Sequence, residues 1–248
     1  MNLAWFRFYE ELNEFLPSEK QKKLFAYTFN GTPSVKDAIE ANGVPHSEVD
    51  LILVNSISVG FSYKLRDGDL VSVYPVFETF DITSLDHLRA KPLRISKFIL
   101  DVHLGKLAKY LRLCGFDTLY RKDYNDTEII NISSSEKRII LTRDLVLLKN
   151  KKVTHGYWIR SQYMNEQLKE VFIRFDLKNQ LLPFTRCLEC NGLLTEVSKE
   201  DIMERLLPET NKYFTEFRRC MECNRIYWEG SHYERMKIYI DNLINNVI

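Results

Sequence analysis

Two short apolar runs, each closed by an aspartate and followed by a helical pattern, constrain this chain most. Lys97-Phe98-Ile99-Leu100 leads into Asp101, and Arg138-Ile139-Ile140-Leu141-Thr142-Arg143 leads into Asp144. Short apolar runs of this kind read as buried strands. Strands alternating with helices over short connections build a parallel sheet with helices on both faces. In such sheets ligands and chemistry sit at the carboxyl ends of the strands. Two carboxylates converging there repel each other unless a cation joins them, and divalent metals take oxygen ligands.

The alternation continues through the central segment. Leu104, Leu107, Ala108 and Leu111 share one helical face, and Gly115 suits the position just past that helix. Asp117-Thr118-Leu119-Tyr120 reads as a strand, Asp126 to Ser134 as a helix with Asp126 as N-cap, and Arg138 to Thr142 as the third strand. Val153 to Ile159 is the fourth strand. Asn165 to Phe175 is a helix with Leu168, Val171, Phe172 and Phe175 on one face. Arg112 stands about three helical turns beyond Asp101 and returns to its azimuth. Gly105 lies near that line, leaving room for a group to approach. Lys106 and Lys109 fall on the solvent side, where they could meet a polyanion. The plainer alternative makes Arg112 a surface cation and Gly105 a packing residue.

Cys187-Leu188-Glu189-Cys190 and Cys220-Met221-Glu222-Cys223 form a four-thiolate pattern suited to tetrahedral zinc. Four thiolates leave no open position, so the zinc is structural. The spacer between the pairs is long enough to hold a helix, which we place at Asp201 to Leu207. Cysteines used this way fit a reducing compartment, and Cys114 reads as a buried free thiol. No run is long and apolar enough to cross a bilayer, and Met1-Asn2-Leu3-Ala4-Trp5 does not read as a signal peptide. The expected localisation is cytoplasmic, with no membrane partner.

The net charge of +1 hides an asymmetry: residues 1–82 carry −5, residues 83–182 carry +8 and residues 183–248 carry −2. A basic segment around acidic strand ends suits a nuclease, which needs a field for phosphates and carboxylates for metal. A merely solvated basic surface is the alternative. Around the second cysteine pair, Phe217, Arg218, Arg219, Arg225, Tyr227 and Trp228 mix cations with aromatics. Arg218 and Arg219 are the candidates for RNA, while Tyr227 and Trp228 serve equally as ribbon core. His232 is not read as a ligand.

Residues 1–82 read as strand, strand, helix, strand, strand, with Ser34 as the helix N-cap and Arg66-Asp67-Gly68-Asp69 as a tight turn. Val54-Asn55 and Leu65-Arg66-Asp67-Gly68-Asp69-Leu70-Val71-Ser72-Val73-Tyr74-Pro75 resemble the ubiquitin-like sulfur carriers, which implies a β-grasp fold. Those carriers end in Gly-Gly, whereas this chain continues through Val76-Phe77-Glu78-Thr79-Phe80. Carrier chemistry is therefore not expected. The module binds a protein partner, positions the rest of the chain, or is a structural appendage.

Phe98-Ile99-Leu100-Asp101, Leu104-Gly105-Lys106-Leu107-Ala108, Leu111-Arg112, Gly115-Phe116-Asp117-Thr118 and Ile140-Leu141-Thr142-Arg143-Asp144 resemble the Mut-seven C-terminal RNase domain family. The resemblance extends through the zinc segment and covers most of residues 94–235. It implies an α/β fold, a PIN-like parallel sheet with flanking helices, preceded by the β-grasp domain and followed by a zinc ribbon. The expected boundaries are 1–82 for the β-grasp domain, 83–93 for a linker, 94–182 for the PIN-like domain and 183–248 for the ribbon. By resemblance, Asp101 and Asp144 match the first-strand and third-strand acids, and Asp123, Asp126 or Glu128 completes the set. Arg112 and Arg143 would neutralise charge on the phosphate oxygens. After the fourth strand, in Arg160 to Glu166, the best polar candidates are Ser161 and Glu166, which favours one magnesium or manganese ion over two. The implied function is metal-dependent hydrolysis of RNA. The alternative is a non-catalytic RNA-binding or adaptor protein on the same scaffold.

Overall fold

The computed structural model describes residues 1–75 and 96–247. The expected linker, 83–93, and the run 76–80 lie outside the described residues. Contacts group the chain into two compact units. One is Met1–Arg94 with Asp126–Trp158, and the other is Ile95–Asn125 with Ile159–Ile248.

The N-terminal module comprises β1 (Asn2–Phe8), β2 (Phe25–Phe29), α1 (Val35–Ala41), β3 (Leu51–Val54), β4 (Ile57–Ser58) and β5 (Leu70–Tyr74). Its sheet runs β2-β1-β5-β3-β4, with β1 and β5 parallel and the other pairs antiparallel. Strand alternation sends Ala4, Phe6 and Phe8 inward, where they join Val35, Ala38 and Ile39 of α1 in one core. Ser34 and Asp37 close a capping box: Asp37 N–H donates to Ser34 Oγ at 3.2 Å, and Ser34 N–H donates to Asp37 Oδ2 at 3.1 Å. Two backbone donors that a helix start leaves unpaired are thereby satisfied. This is the helix-on-sheet arrangement expected of a β-grasp module.

Next come β6 (Lys97–Leu100), α2 (Gly105–Leu113) and β7 (Asp117–Leu119), with β6 and β7 parallel in the register Lys97↔Asp117. The α2 stripe is fully internal: Leu104, Leu107, Ala108 and Leu111 are buried. At roughly 2 kcal/mol for each buried leucine, that face is what holds the helix. Gly115 ends it at φ +96°. Its N–H donates to the Arg112 carbonyl at 2.9 Å, and Phe116 N–H donates to the Leu111 carbonyl at 3.0 Å. This is the paired helix-ending motif that favours glycine. A Cβ at Gly115 would also lie 2.1 Å from the Leu182 carbonyl oxygen.

Then follow α3 (Asp126–Glu136), β8 (Ile139–Thr142), α4 (Leu145–Leu148) and β9 (Gly156–Trp158), with β8 and β9 parallel. Asp126 is the first helical residue, so the capping position belongs to the residue before it. These elements share a unit with the N-terminal module, and polar contacts fasten them. Trp158 N–H donates to Glu48 Oε1 at 2.5 Å, His46 Nε2 lies 2.6 Å from the Val153 carbonyl, and the Phe15 and Trp158 rings are 5.3 Å apart.

The chain ends with α5 (Met164–Arg174), β10 (Leu194–Val197), α6 (Pro208–Tyr213), β11 (Phe217–Cys220), β12 (Ile226–Trp228) and α7 (Ser231–Val247). Leu168, Val171 and Phe172 of α5 are buried, and Phe172 packs edge-on against Phe116 at 5.7 Å. β10, β11 and β12 form an antiparallel sheet, the body of the ribbon. The helix expected at Asp201–Leu207 is instead a 3-10 segment, Glu200–Arg205, with α6 starting at Pro208. Proline forces the residue before it out of the helical region, and Leu207 is extended at φ −64°, ψ 148°. No helix among the described residues is long and apolar enough to cross a membrane.

Candidate functional site

Asp101 and Asp144 occupy equivalent local positions. Each follows the carboxyl end of a parallel strand, β6 or β8, and each caps the helical turn that comes next. Asp101 is buried and accepts from the His103 N–H at 2.9 Å. Asp144 is exposed and accepts from the Val146 N–H at 2.8 Å, while its own N–H donates to Thr142 Oγ1 at 2.8 Å. A cap takes one acceptor position of a carboxylate that has about four. Capping and metal ligation are therefore compatible uses of the same side chain.

The other candidates divide. Asp126 and Glu128 are exposed in the first turn of α3. Asp123 is held by Arg121, which donates through Nε at 3.0 Å and Nη2 at 2.5 Å. That hydrogen bonding keeps the Asp123 carboxyl below the ordinary aspartate value. Arg143 is exposed, and its carbonyl accepts from Trp158 Nε1 at 3.2 Å. Lys106 is exposed, whereas Lys109 pairs with Glu189 at 2.8 Å. The Ser161 N–H donates to Glu170 Oε1 at 3.1 Å, so Glu170, which the sequence reading passed over, fixes the loop after β9.

Arg112, expected at the phosphate, is engaged elsewhere. It is buried, and its Nε donates to the Thr118 carbonyl at 2.9 Å. Its Nη1 donates to the Leu188 and Glu189 carbonyls at 3.0 and 2.8 Å. The first cysteine turn, remote in sequence, folds over this face of α2 and takes up the side chain. Burial lowers the guanidinium pKa, and the nearby Cys187 and Cys190 groups push it back up. What approaches Gly105 is Tyr120, whose hydroxyl would lie 2.6 Å from an added Cβ.

The four cysteines converge. Among the described residues they are the group of cysteine, histidine and carboxylate side chains gathered closely enough to hold an ion, all Sγ atoms lying within 4.8 Å of one another. Cys187 and Cys223 are 3.6 Å apart, and Cys190 and Cys220 are 3.3 Å apart. A tetrahedral ion with sulfur ligands at about 2.3 Å sets its sulfurs about 3.8 Å apart. The donor set and spacing fit such an ion.

Each cysteine pair lies on the same backbone turn. Cys187 N–H donates to the Gly192 carbonyl and Asn191 N–H to the Cys187 carbonyl. The second turn repeats this with Cys220 to Arg225 and Asn224 to Cys220. Asn191 and Asn224 both take positive φ, +74° and +59°, which asparagine tolerates better than most residues. The repeated Glu-Cys-Asn, Glu189-Cys190-Asn191 and Glu222-Cys223-Asn224, was the sequence signal for these turns. Asn191 does more: its Nδ2 donates to Asp117 Oδ1 at 2.7 Å and its Oδ1 accepts from Thr118 N–H at 2.9 Å. The first cysteine turn is thereby fastened to β7. Cys114 is fully buried, and burial pushes its thiol up to about 12, so it is an inert packing residue as expected.

The model of the Mut7-C RNAse domain matches residues 96–240, and the model of the Mut7-C ubiquitin domain matches residues 1–81. No curated protein and no solved structure matches the chain. The first match contains both strand-end aspartates and all four cysteines, and the second coincides with the β-grasp module.

Proposed function

The chain belongs to the Mut7-C RNAse domain family, and from that membership we propose that it is a metal-dependent ribonuclease. The observation that carries the reading is the matched placement of Asp101 and Asp144, each past a parallel strand and each at a helix start. In the proposal these two carboxylates, with Asp126 or Glu128, hold magnesium or manganese. Asp123 is the weaker third candidate because Arg121 already engages it. When bound, such an ion polarises the phosphate and activates water. Arg143, Lys106, Lys109, Arg218 and Arg219 meet the RNA, and Arg112 becomes a positioning residue between α2 and the cysteines. The cysteines hold one structural zinc, a chemistry suited to a reducing, cytoplasmic setting.

A second reading, an RNA-binding or adaptor protein without turnover, has its own support. The stretch Arg160–Glu166 after β9 lacks a clear set of acids, with Ser161 and Glu166 as its best polar candidates. One assay separates the two. Labelled single-stranded and structured RNAs are incubated with the purified protein in manganese or in chelator. Manganese-dependent cleavage that disappears in both Asp101→Asn and Asp144→Asn supports the nuclease. RNA binding without cleavage by the wild type supports the adaptor.

A further inference from the structure

A cavity of about 690 Å³ opens beside the ribbon sheet and the first turn of α7. That is within the range of roughly 300–1,000 Å³ typical of small-ligand sites. The rings of Phe184, Trp228 and Tyr233 line it, and Trp228 is 39 % exposed. Flat aromatic surface open to a cavity is a platform for another planar ring.

The charged residues lining the cavity balance, with Arg186, Arg218 and Arg225 against Glu196, Glu216 and Glu229. Such a wall has no net attraction for a phosphate cluster. It does offer donors and acceptors around the edge of a neutral ring.

The backbone at Phe184 is a second observation. Its φ is +60°, a left-handed conformation that bulky side chains rarely adopt. The strain is held from both sides: Phe184 N–H donates to the Leu113 carbonyl at 3.0 Å, and its carbonyl accepts from Arg218 Nη1 at 3.1 Å. The result sets the Phe184 ring 4.2 Å from that of Tyr233. Strain retained in this way is characteristic of ligand clamps.

We propose that this cavity receives a single unpaired nucleobase of bound RNA, stacked on Trp228 and read at its edge by the arginine and glutamate side chains. The proposal rests on the RNA-binding part of the reading above and deepens it. A base inside a duplex cannot enter, so the full chain prefers single-stranded RNA. Each stacked base is worth about 1–3 kcal/mol by alanine substitution, which is on the order of tenfold in affinity or more.

The test uses short single-stranded RNAs containing 5-iodouridine, a matched duplex, and the full chain as wild type, Trp228→Ala and Trp228→Phe. Thermal melts confirm that the variants fold. Titrations should show roughly tenfold weaker single-strand binding for Trp228→Ala, near wild-type binding for Trp228→Phe, and unchanged duplex binding for both. Photo-crosslinks should map to Trp228 or Tyr233. If the wild type binds RNA but crosslinks map outside the ribbon and Trp228→Ala keeps full affinity, the cavity assignment is overturned while the ribonuclease reading stands. That is also the result expected of a cavity that serves a peptide. If the wild type binds neither RNA, both readings fall.

Discussion

At the scale of single residues, the aspartates and Arg112 separate chemistry from architecture. Asparagine caps a helix about as well as aspartate does, whereas alanine does not. Asp101→Asn should therefore abolish manganese-dependent cleavage with little change in melting temperature. Asp101→Ala should lose the cleavage and about 1 kcal/mol of stability as well. Equal destabilisation by both changes would show that the carboxylate matters to the fold rather than to catalysis. Arg112 is the opposite case. Arg112→Ala leaves the Thr118, Leu188 and Glu189 carbonyls without their donor, at a cost of roughly 2–4 kcal/mol. Lysine restores the charge but not the fork geometry, so Arg112→Lys should recover only part of this in denaturant melts. Wild-type stability in Arg112→Ala would refute the positioning role.

At the scale of elements, local signals were legible where they are self-contained. The Ser34 cap, the α2 stripe and Gly115 past its end all formed as the residue spacing implies, because each depends on neighbours within a turn or two. The helix expected at Asp201–Leu207 is a 3-10 segment at Glu200–Arg205 that stops short of Leu207, which Pro208 keeps extended. The capping box carries a pH dependence. Hydrogen bonds from the Ser34 side chain and backbone lower the Asp37 carboxyl pKa from its usual 3.8. A depressed folded value means the stabilisation is present above the unfolded pKa and is lost as pH falls through the lowered value. Helix signals of α1 should therefore weaken below about pH 4. Ser34→Ala costs about 1 kcal/mol, and its gap from the wild type should narrow in that acid range without closing, because the bond from the Asp37 N–H to Ser34 Oγ does not depend on the carboxylate charge. A stability difference that persists unchanged into strong acid would contradict this account.

At the scale of the whole molecule, the first cysteine turn is fastened to α2 and β7 by Arg112, Asn191 and Arg186, the last donating to the Gly115 carbonyl at 3.2 Å. Metal loss should thus be felt well beyond the cysteines. The Thr118 amide, which donates to Asn191 Oδ1, should exchange with solvent markedly faster after chelation, as read by hydrogen exchange. Amides of β1 and β5, which lie in the other compact unit, should keep their protection. Loss of protection throughout the chain would mean that the ion supports one cooperative fold. Protection of Thr118 that does not change would mean that the turn stands without the ion.

Much of this protein was decided by the sequence alone. The strand-end position of Asp101 and Asp144, the internal stripe of α2 and each CxxC pair follow from spacing within short windows, whereas the β-grasp reading came from resemblance and β4 was not among its expected strands. Periodicity and turn chemistry are local properties of a chain. Only the tertiary structure decided what Arg112 does, because its partners at Leu188 and Glu189 are remote in sequence and its azimuth on α2 carries no information about them. The same holds for Glu48 on Trp158 and for the ring wall of Phe184, Trp228 and Tyr233. Each depends on which distant segments are brought within hydrogen-bonding or van der Waals reach, and packing sets that.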